Sequence, residues 1–174
     1  MAHQSSRRNF LKAGTLAGAG YWVAARPAFG QTNSPNEKLG IAGIGGGGKG
    51  DSDIDDMAKC GCEVVAICDV TEGHAAAALK RSPKAKFFKD YREMLDKMDK
   101  DIDLCTISTP DHMHAVQTLN AMKRGKHVYT QKPLCHNVYE ARALTEAAKK
   151  TGVVTQMGNQ GSAQNGLREA VEVI

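Results

Sequence analysis

The sequence predicts an α/β domain in which a doubly wound, mostly parallel sheet of about six strands carries helices on both faces. Two observations support this prediction. Short apolar runs alternate with helical patterns from residue 39 onward, and the first run leads directly into a glycine-rich turn. Continuous apolar runs are typical of parallel strands buried on both faces, with helices as crossovers. With 174 residues, 41% of them hydrophobic, the chain can form one core of ordinary size.

Six short apolar runs are the predicted strands, because their length suits strands better than helices. They cover Leu39–Ile44, Glu63–Asp69, Ala85–Phe88, Ile102–Ser108, His127–Thr130 and Val153–Met157. Helical signals fill the segments between them. Asp90 with Glu93 resembles a capping box, and Asn137 with Glu140 opens a later helix that Gly152 closes. Apolar stripes with helical spacing fall at Tyr91, Met94, Leu95 and Met98 and at Ala115, Leu119 and Met122.

Residues 1–30 resemble a twin-arginine export signal. Arg7 and Arg8 precede Phe10 and a modest apolar stretch too short to span a bilayer, and small residues at 28 and 30 fit cleavage before Gln31. The export machinery is therefore an expected partner. The expected location is periplasmic or otherwise extracytoplasmic, without stable membrane insertion. An uncleaved N-terminal helix lying at a membrane surface is the alternative.

Apolar residues at 167, 170, 171 and 174 follow helical spacing, and no Gly, Asn or Pro comes after them. A helix is thus still in progress where the sequence stops, and we expect residues 159–174 to begin a second, α+β domain that is missing from this sequence. Residues 31–38 are expected to be a linker and residues 39–158 to be the α/β domain. A short protein that ends in a frayed helix is the alternative.

The net charge of +4 comes from the N-terminal segment, because residues 1–30 hold four of the 23 basic residues and none of the 19 acidic ones. The rest of the chain is balanced, so composition gives no reason to expect a nucleic-acid partner. The five cysteines show no metal or redox spacing. We expect neither a disulfide framework nor a metal site.

The turn after the first predicted strand fits a phosphate-binding loop. Gly43, Gly45 and Gly48 match the G-x-G-x-x-G spacing, with Gly46 and Gly47 between them. This motif provides a tight turn, a backbone that can approach a pyrophosphate, and room for close helix packing. The start of the following helix offers free N–H groups to the anion.

A P-loop for nucleoside triphosphates is the competing interpretation. Four residues separate Gly43 from Gly48, and Lys49 follows, as in that motif. The next position must then carry a hydroxyl group for Mg²⁺, and this chain has Gly50 there. The dinucleotide interpretation is therefore favoured.

Asp69 ends the second predicted strand, 21 residues after Gly48. At about this distance a dinucleotide-binding fold has an acid that accepts hydrogen bonds from the adenosine ribose hydroxyls. The carboxylate would repel a 2′-phosphate, and no arginine follows directly. NAD is therefore favoured over NADP.

Two further clusters follow the fourth and fifth predicted strands, whose carboxyl ends border the ligand crevice of an open α/β sheet. Thr109 and Pro110 form a turn after the fourth strand, and His112 and His114 follow, which by themselves are a thin ligand set for a metal. Lys132 follows the fifth strand. It could donate a hydrogen bond to a substrate oxygen while a hydride moves, which makes it the predicted catalytic residue.

In this order the clusters resemble the NAD(P)-dependent sugar and cyclitol oxidoreductases of the Gfo/Idh/MocA family, which includes glucose-fructose oxidoreductase and inositol dehydrogenase. The resemblance covers nearly everything from residue 39 onward. It implies a Rossmann-type domain that binds NAD, and hydride transfer between the nicotinamide and a sugar- or cyclitol-like alcohol or carbonyl. The family often assembles into homo-oligomers. The residues that it assigns to cofactor binding are Gly43, Gly45, Gly46, Gly47, Gly48, Asp69, Thr109, Pro110, His114, Gln131 and Lys132.

Three features depart from the family. Gln131 stands where the family has an acid, which removes a negative charge beside Lys132. Four acids crowd the first helix, where they oppose a bound pyrophosphate; they are Asp51, Asp53, Asp55 and Asp56. The family's catalytic histidine and substrate pocket belong to a second domain that this sequence lacks. A noncatalytic dinucleotide-binding or scaffolding module is therefore the alternative hypothesis.

Overall fold

A computed structural model describes residues 38–173, in which strands alternate with helices up to the sixth strand and two helices follow it. The strands are β1 (Gly40–Ile44), β2 (Glu63–Cys68), β3 (Lys86–Phe88), β4 (Leu104–Ile107), β5 (His127–Gln131) and β6 (Thr155–Gly158). The helices are α1 (Lys49–Lys59), α2 (Glu72–Arg81), α3 (Tyr91–Lys97), α4 (Asp111–Lys123), α5 (Val138–Thr151), α6 (Gln160–Ala163) and α7 (Asn165–Val173). Among these described helices, none has the length and apolar character needed to cross a membrane. The predicted export signal (1–30) and the predicted linker up to residue 37 lie outside the described residues.

The six strands form one sheet in the order β3-β2-β1-β4-β5-β6, and every neighbouring pair is parallel. This confirms the predicted doubly wound sheet. The chain runs outward from β1 to β3 on one side and then returns to continue from β4 on the other. After β1 the chain continues to β2 and after β4 it continues to β5, in opposite directions across the sheet, and open α/β sheets bind their ligands at such a point of the carboxyl edge.

Apolar side chains cover both faces of the sheet. One core cluster packs the sheet against α3, α4 and α5, and includes the fully buried Ile44, Leu95 and Ile107. The second cluster packs it against α1 and α2 and includes Ile54 and Ile67. Burial on both faces explains why the strands appear in the sequence as continuous apolar runs instead of alternating patterns.

Local hydrogen bonds fix the helix ends largely as the sequence predicted. Asn137 accepts a bond from the backbone N–H of Glu140 at 2.9 Å and begins α5. At α3 the predicted reciprocal cap is wrong in part. Asp90 accepts a bond from the second N–H of the helix at 2.9 Å, but Glu93 pairs with a lysine four residues later. Helix α7 confirms the helix predicted near residue 170, and the assignment of residues 159–174 to a second domain stays a prediction.

Candidate cofactor site

The turns that follow β1 and β4 lie against each other at the carboxyl edge of the sheet. A Cβ added to Gly45 would lie 2.5 Å from the carbonyl oxygen of Ser108, so the two turns touch through their backbones. A groove of about 770 Å³ opens beside them. Its lining comes from segments within 44–48, 68–74, 89–92 and 108–117. This volume suits a ligand of the size of a dinucleotide.

The glycines of the first turn have separate structural roles. Gly45 has φ 92°, in the region that favours glycine, and makes the sharp turn out of β1. Gly50 lets α1 approach β1, because a Cβ there would lie 2.1 Å from the Gly45 carbonyl oxygen. The spacing assigned close helix packing to Gly48. That assignment is wrong, because a Cβ at Gly48 would meet nothing within 4 Å. Gly43 lies within β1, where a Cβ would overlap the Ile54 side chain of α1.

The sequence contains a second frame that fits these roles. Gly45, Gly47 and Gly50 also match the G-x-G-x-x-G spacing, and in this frame the last glycine packs the helix against the strand. Gly50 is therefore a functional residue that the sequence analysis missed as a member of the motif. The spacing does not single it out, because both frames are complete; its place as the second residue of α1 identifies it only in the structure.

Asp69 lies directly after β2 and holds the glycine turn. Its Oδ2 accepts a bond from the Gly46 N–H at 2.9 Å, and its Oδ1 accepts one from the Thr71 N–H at 3.0 Å. The side chain is 10% exposed and lines the groove, with the His74 ring nitrogen 3.5 Å away. A carboxylate oxygen can accept more than one hydrogen bond, and each oxygen of Asp69 accepts one backbone bond, so Asp69 retains acceptor capacity for ribose hydroxyls.

One wall of the groove comes from residues that the sequence analysis did not assign to the site. Lys89, Asp90, Tyr91 and Arg92 follow β3 and line the groove. The Arg92 guanidinium donates three bonds to the Asp90 carboxylate, at 2.7, 3.0 and 3.2 Å, and lies 5.8 Å from the centre of the Tyr91 ring. The helix-cap signal at Asp90 was the one indication of this wall in the sequence. Because Asp90 is far from the glycine turn along the chain, the sequence did not indicate that it lines the groove.

The pairing of Asp90 with Arg92 predicts how the Asp90 carboxyl titrates and how its contribution to stability changes with pH. Bonds from the Arg92 side chain and its backbone N–H lower the Asp90 pKa to about 2. A lowered pKa stabilises the fold above the unfolded value of about 4, and this contribution is lost as pH falls from about 4 through about 2. We expect carbon NMR of the Asp90 carboxyl to show a midpoint near 2, and Arg92→Gln to move it upward. A wild-type midpoint near 4 would contradict the pairing.

The turn after β4 is fixed from beneath the groove. The Thr109 hydroxyl donates to the Gln117 side-chain oxygen at 2.6 Å. The His114 ring is 1% exposed, and its nitrogens lie 2.7 Å from the Thr109 carbonyl oxygen and 2.6 Å from that of Pro133. Both partners are carbonyl oxygens, and each faces one of the two ring nitrogens. His114 thus joins the turns after β4 and β5 from behind the lining, and its predicted contact with the cofactor stays a prediction.

The four aspartates of α1 are paired with cations, which the sequence did not show. Asp53 is 4% exposed, and its Oδ1 lies 2.6 Å from the Lys49 Nζ. The hydrogen bond from this pair raises the pKa of Lys49. The other pairs join Asp51 to Arg81, Asp55 to Lys59 and Arg81, and Asp56 to Lys59. These cations offset the expected repulsion between the acids and a bound pyrophosphate.

The last residue of β5, Gln131, and Lys132 after it lie outside the lining of the main groove. Gln131 is 5% exposed, and its Nε2 donates to the Asp53 Oδ2 at 2.8 Å. Lys132 is exposed at the carboxyl end of β5, which pairs with β4. Lys132 therefore lies at the edge of the sheet where it was expected, and its catalytic role stays a prediction.

Histidine and cysteine side chains do not cluster in this domain. Within residues 38–173, no three His, Cys, Asp or Glu side chains come together in a way that could hold a metal ion. Burial raises the pKa of Cys68 and of Cys105 to about 12, so both thiols stay protonated. They pack as small apolar residues of the core.

Comparison with known proteins decides the family. A model of the Gfo/Idh/MocA oxidoreductases, described as an oxidoreductase family with an NAD-binding Rossmann fold, matches residues 38–159. The chain belongs to the Gfo/Idh/MocA oxidoreductase family. It carries the NAD-binding Rossmann domain of that family, which confirms the fold and the cofactor that the motifs predicted.

Relatives share this domain with the chain. Inositol 2-dehydrogenase from Salmonella typhimurium is 34% identical over 116 residues, which cover 66% of this chain and 34% of the relative. A glycosyl hydrolase family 109 protein from Solibacter usitatus is 32% identical over 164 residues, covering 85% and 37%. The crystal structure of GenD2 from gentamicin A biosynthesis, in complex with NAD, is similar with a TM-score of 0.64 and 26% identity, over 70% of this chain and 34% of that chain. The chain thus spans about a third of the length of these relatives.

The residues of the groove fit NAD. In the frame Gly45, Gly47 and Gly50, the first glycine makes the tight turn, the second lies in the groove lining where a backbone can approach a pyrophosphate, and the third allows the close approach of the helix. Gly48 precedes α1 and provides no side-chain cap; the Gly50 N–H bonds to the Gly47 carbonyl oxygen at 3.0 Å, so the Lys49 N–H is the group at the helix start that an anion would meet first. Asp69 supplies an acceptor for the ribose in the same groove.

Proposed function

We propose that this chain is the cofactor domain of an NAD-dependent oxidoreductase that transfers a hydride between the nicotinamide and a sugar- or cyclitol-like alcohol or carbonyl. One observation carries the proposal: the glycine turn, Asp69 and Thr109–Pro110 line a single groove. Membership of the oxidoreductase family supports the reaction type. The name of the Salmonella typhimurium relative, inositol 2-dehydrogenase, supports the substrate class.

The proposal gives each element of the site a role. The glycine turn and the start of α1 hold the pyrophosphate, and Asp69 accepts bonds from the adenosine ribose. Thr109 and Pro110 border the nicotinamide half. Bound NAD supplies the hydride acceptor, and Lys132 donates a hydrogen bond to the substrate oxygen and stabilises charge that develops there. The Asp69 carboxylate disfavours a 2′-phosphate, so NAD is the preferred cofactor over NADP.

Calorimetric titration with NAD⁺ and NADP⁺ tests the binding step. We expect NAD⁺ to bind and NADP⁺ to bind more weakly. Well-folded protein that binds neither would overturn the proposal. The reaction is tested by the appearance of NADH absorbance with a panel of aldoses and cyclitols. Binding without NADH formation across the panel would favour the noncatalytic dinucleotide-binding module.

A second candidate reaction is the cleavage of a glycoside. The similarity to the Solibacter usitatus protein favours it, because that match covers 85% of this chain. Some glycosidases depend on NAD, so the cofactor site suits either reaction. Release of nitrophenol from nitrophenyl glycosides, without net NADH formation, would identify this activity. Net NADH formation from a free sugar would identify the oxidoreductase.

We also propose that the protein leaves the cytoplasm by the twin-arginine route, with cleavage after Gly30. The support is the sequence alone: Arg7 and Arg8, the apolar stretch that follows, and the small residues before Gln31. N-terminal sequencing of the protein from the periplasmic fraction tests it. A mature chain that still starts at Met1 or Ala2 would contradict cleavage.

A further inference from the structure

The buried carboxylate of Asp53 joins three elements of the site. Its Oδ1 lies 2.6 Å from the Lys49 Nζ at the start of α1. Its Oδ2 accepts a bond at 2.7 Å from the Ser108 hydroxyl, after β4, and a bond at 2.8 Å from the Gln131 Nε2, at the end of β5. The residue is 4% exposed, so these three donors replace water as its partners.

Each of the three donors is the chain neighbour of a residue predicted to contact the cofactor. Lys49 follows Gly48, Ser108 precedes Thr109, and Gln131 precedes Lys132. A shift of the carboxylate would therefore move all three turns. Asp53 lies outside the groove lining, whereas its donor Ser108 lies in it, so the effect of Asp53 on a ligand passes through its donors and their neighbours.

The close contact between positions 53 and 131 favours one carboxylate and one amide over two carboxylates. The Gln131 amide lies within 2.8 Å of the carboxylate, and two carboxylates at this separation could not both ionise. The facing cation is Lys49, whose pKa is raised first by its hydrogen bond to Asp53 and also by the charges of Tyr129 and Asp56. A carboxylate at 53 thus requires a neutral donor at 131. This pairing gives a physical reason for Gln131, which the sequence showed only as a departure from the family.

We propose that Asp53 is the positioning carboxylate of the cofactor site and that Gln131 is its complementary amide. The pair fixes the positions of the turns after β1, β4 and β5 relative to one another. The proposal rests on the proposed function, because the three turns are those assigned to NAD and to Lys132. The interaction joins residues 78 positions apart in the chain.

A swap of the two groups tests the proposal. The variants are Asp53→Asn, Gln131→Glu and the double variant that carries both. Asp56→Asn is the matched control, because it removes the same charge from an exposed position on the same helix. Hydrogen exchange of the three turns is measured without ligand, and NAD⁺ affinity is measured by calorimetry.

We expect each single variant to speed exchange in all three turns and to weaken NAD⁺ binding about tenfold, as for partners in one network. The double variant restores one carboxylate and one amide and should return to within about threefold of wild type. Gln131→Glu alone places two carboxyl groups together and raises the pKa of the pair above the unfolded value of about 4. Its stability should therefore fall as pH rises from about 4 toward 8, more than that of wild type or the double variant.

Separate outcomes decide the two proposals. Wild-type protein that binds no NAD⁺ would overturn the proposed function, and the exchange measurements would still decide the role of Asp53. Normal NAD⁺ affinity and normal exchange in Asp53→Asn would overturn the positioning role. Additive losses in the double variant would do the same. An equal effect of Asp56→Asn would show that charge on α1 matters and that the pairing does not.

Discussion

Replacing Gly50 with alanine should destabilise the domain by about 2 kcal/mol, because helix α1 would have to move away from β1. The added Cβ would lie 2.1 Å from the Gly45 carbonyl oxygen and 2.9 Å from its carbon. Both atoms belong to the backbone, so no rotamer change relieves the overlap, which costs up to about 3 kcal/mol. Alanine gains about 1 kcal/mol over glycine within a helix, and the overlap outweighs this gain.

Gly73→Ala is the matched control for this prediction. Gly73 is the second residue of α2, as Gly50 is of α1, and a Cβ there would meet its nearest atom at an ordinary 3.9 Å. It should stabilise the domain by up to about 1 kcal/mol. Urea unfolding measures both variants. Equal shifts in the two midpoints would show that α1 does not pack closely on β1 through Gly50.

The movement of α1 in Gly50→Ala should also weaken the binding of the cofactor. Gly45 makes the turn that faces the groove, and the overlap in Gly50→Ala acts directly on its carbonyl group. We therefore expect NAD⁺ affinity to fall in Gly50→Ala and to stay unchanged in Gly73→Ala. Both effects have a single cause, since the residue that packs the helix also supports the turn.

Gly50 shows what a glycine-rich sequence can and cannot predict. The run of glycines accommodates two frames of the same motif, shifted by two residues. Spacing alone does not separate them, because each frame places glycine at all three positions. Only the backbone angle of Gly45 and the space beside Gly48 and Gly50 decide which glycine packs the helix.

The number of strands and the doubly wound, parallel sheet followed from periodicity and length, because burial on both faces requires continuous apolar runs. The ends of the strands were less accurate. Ile102 is 2% exposed, yet its N–H bonds to the Met98 carbonyl oxygen and it lies before β4. Apolar character reports burial, while membership of a strand depends on backbone pairing. The predicted fourth strand therefore began too early.

Contacts between distant positions were beyond the sequence. Asp53 and Gln131 were considered separately, one as an unfavourable acid and the other as a lost acid. Each has a satisfied partner in the other. Asp51 likewise pairs with Arg81 on the next helix. A single sequence shows that charges are present, but pairing across 30 or 78 positions depends on how α1 packs against α2 and the sheet.

Replacing Asp69 with alanine should weaken NAD⁺ binding by about tenfold to a hundredfold, and NADP⁺ binding by clearly less. Hydrogen bonds to a charged group contribute about 1.5–3 kcal/mol, which corresponds to this range. Asp69 has two roles in this estimate. It would accept bonds from the ribose of NAD⁺, and it already holds the Gly46 N–H at 2.9 Å. Calorimetry with both cofactors separates these roles.

NADP⁺ serves as the internal reference, because loss of the Gly46 bond loosens the pyrophosphate turn for both cofactors equally. The ribose bonds favour NAD⁺ alone, and the carboxylate repels the 2′-phosphate of NADP⁺. The difference between the two losses therefore measures how strongly Asp69 discriminates a ribose hydroxyl from a 2′-phosphate, free of the effect on the turn. Glu72→Gln removes the same charge from an exposed position three residues later and should change neither affinity. Equal losses for NAD⁺ and NADP⁺ in Asp69→Ala would confine Asp69 to holding the glycine turn and would remove the basis for the preference for NAD.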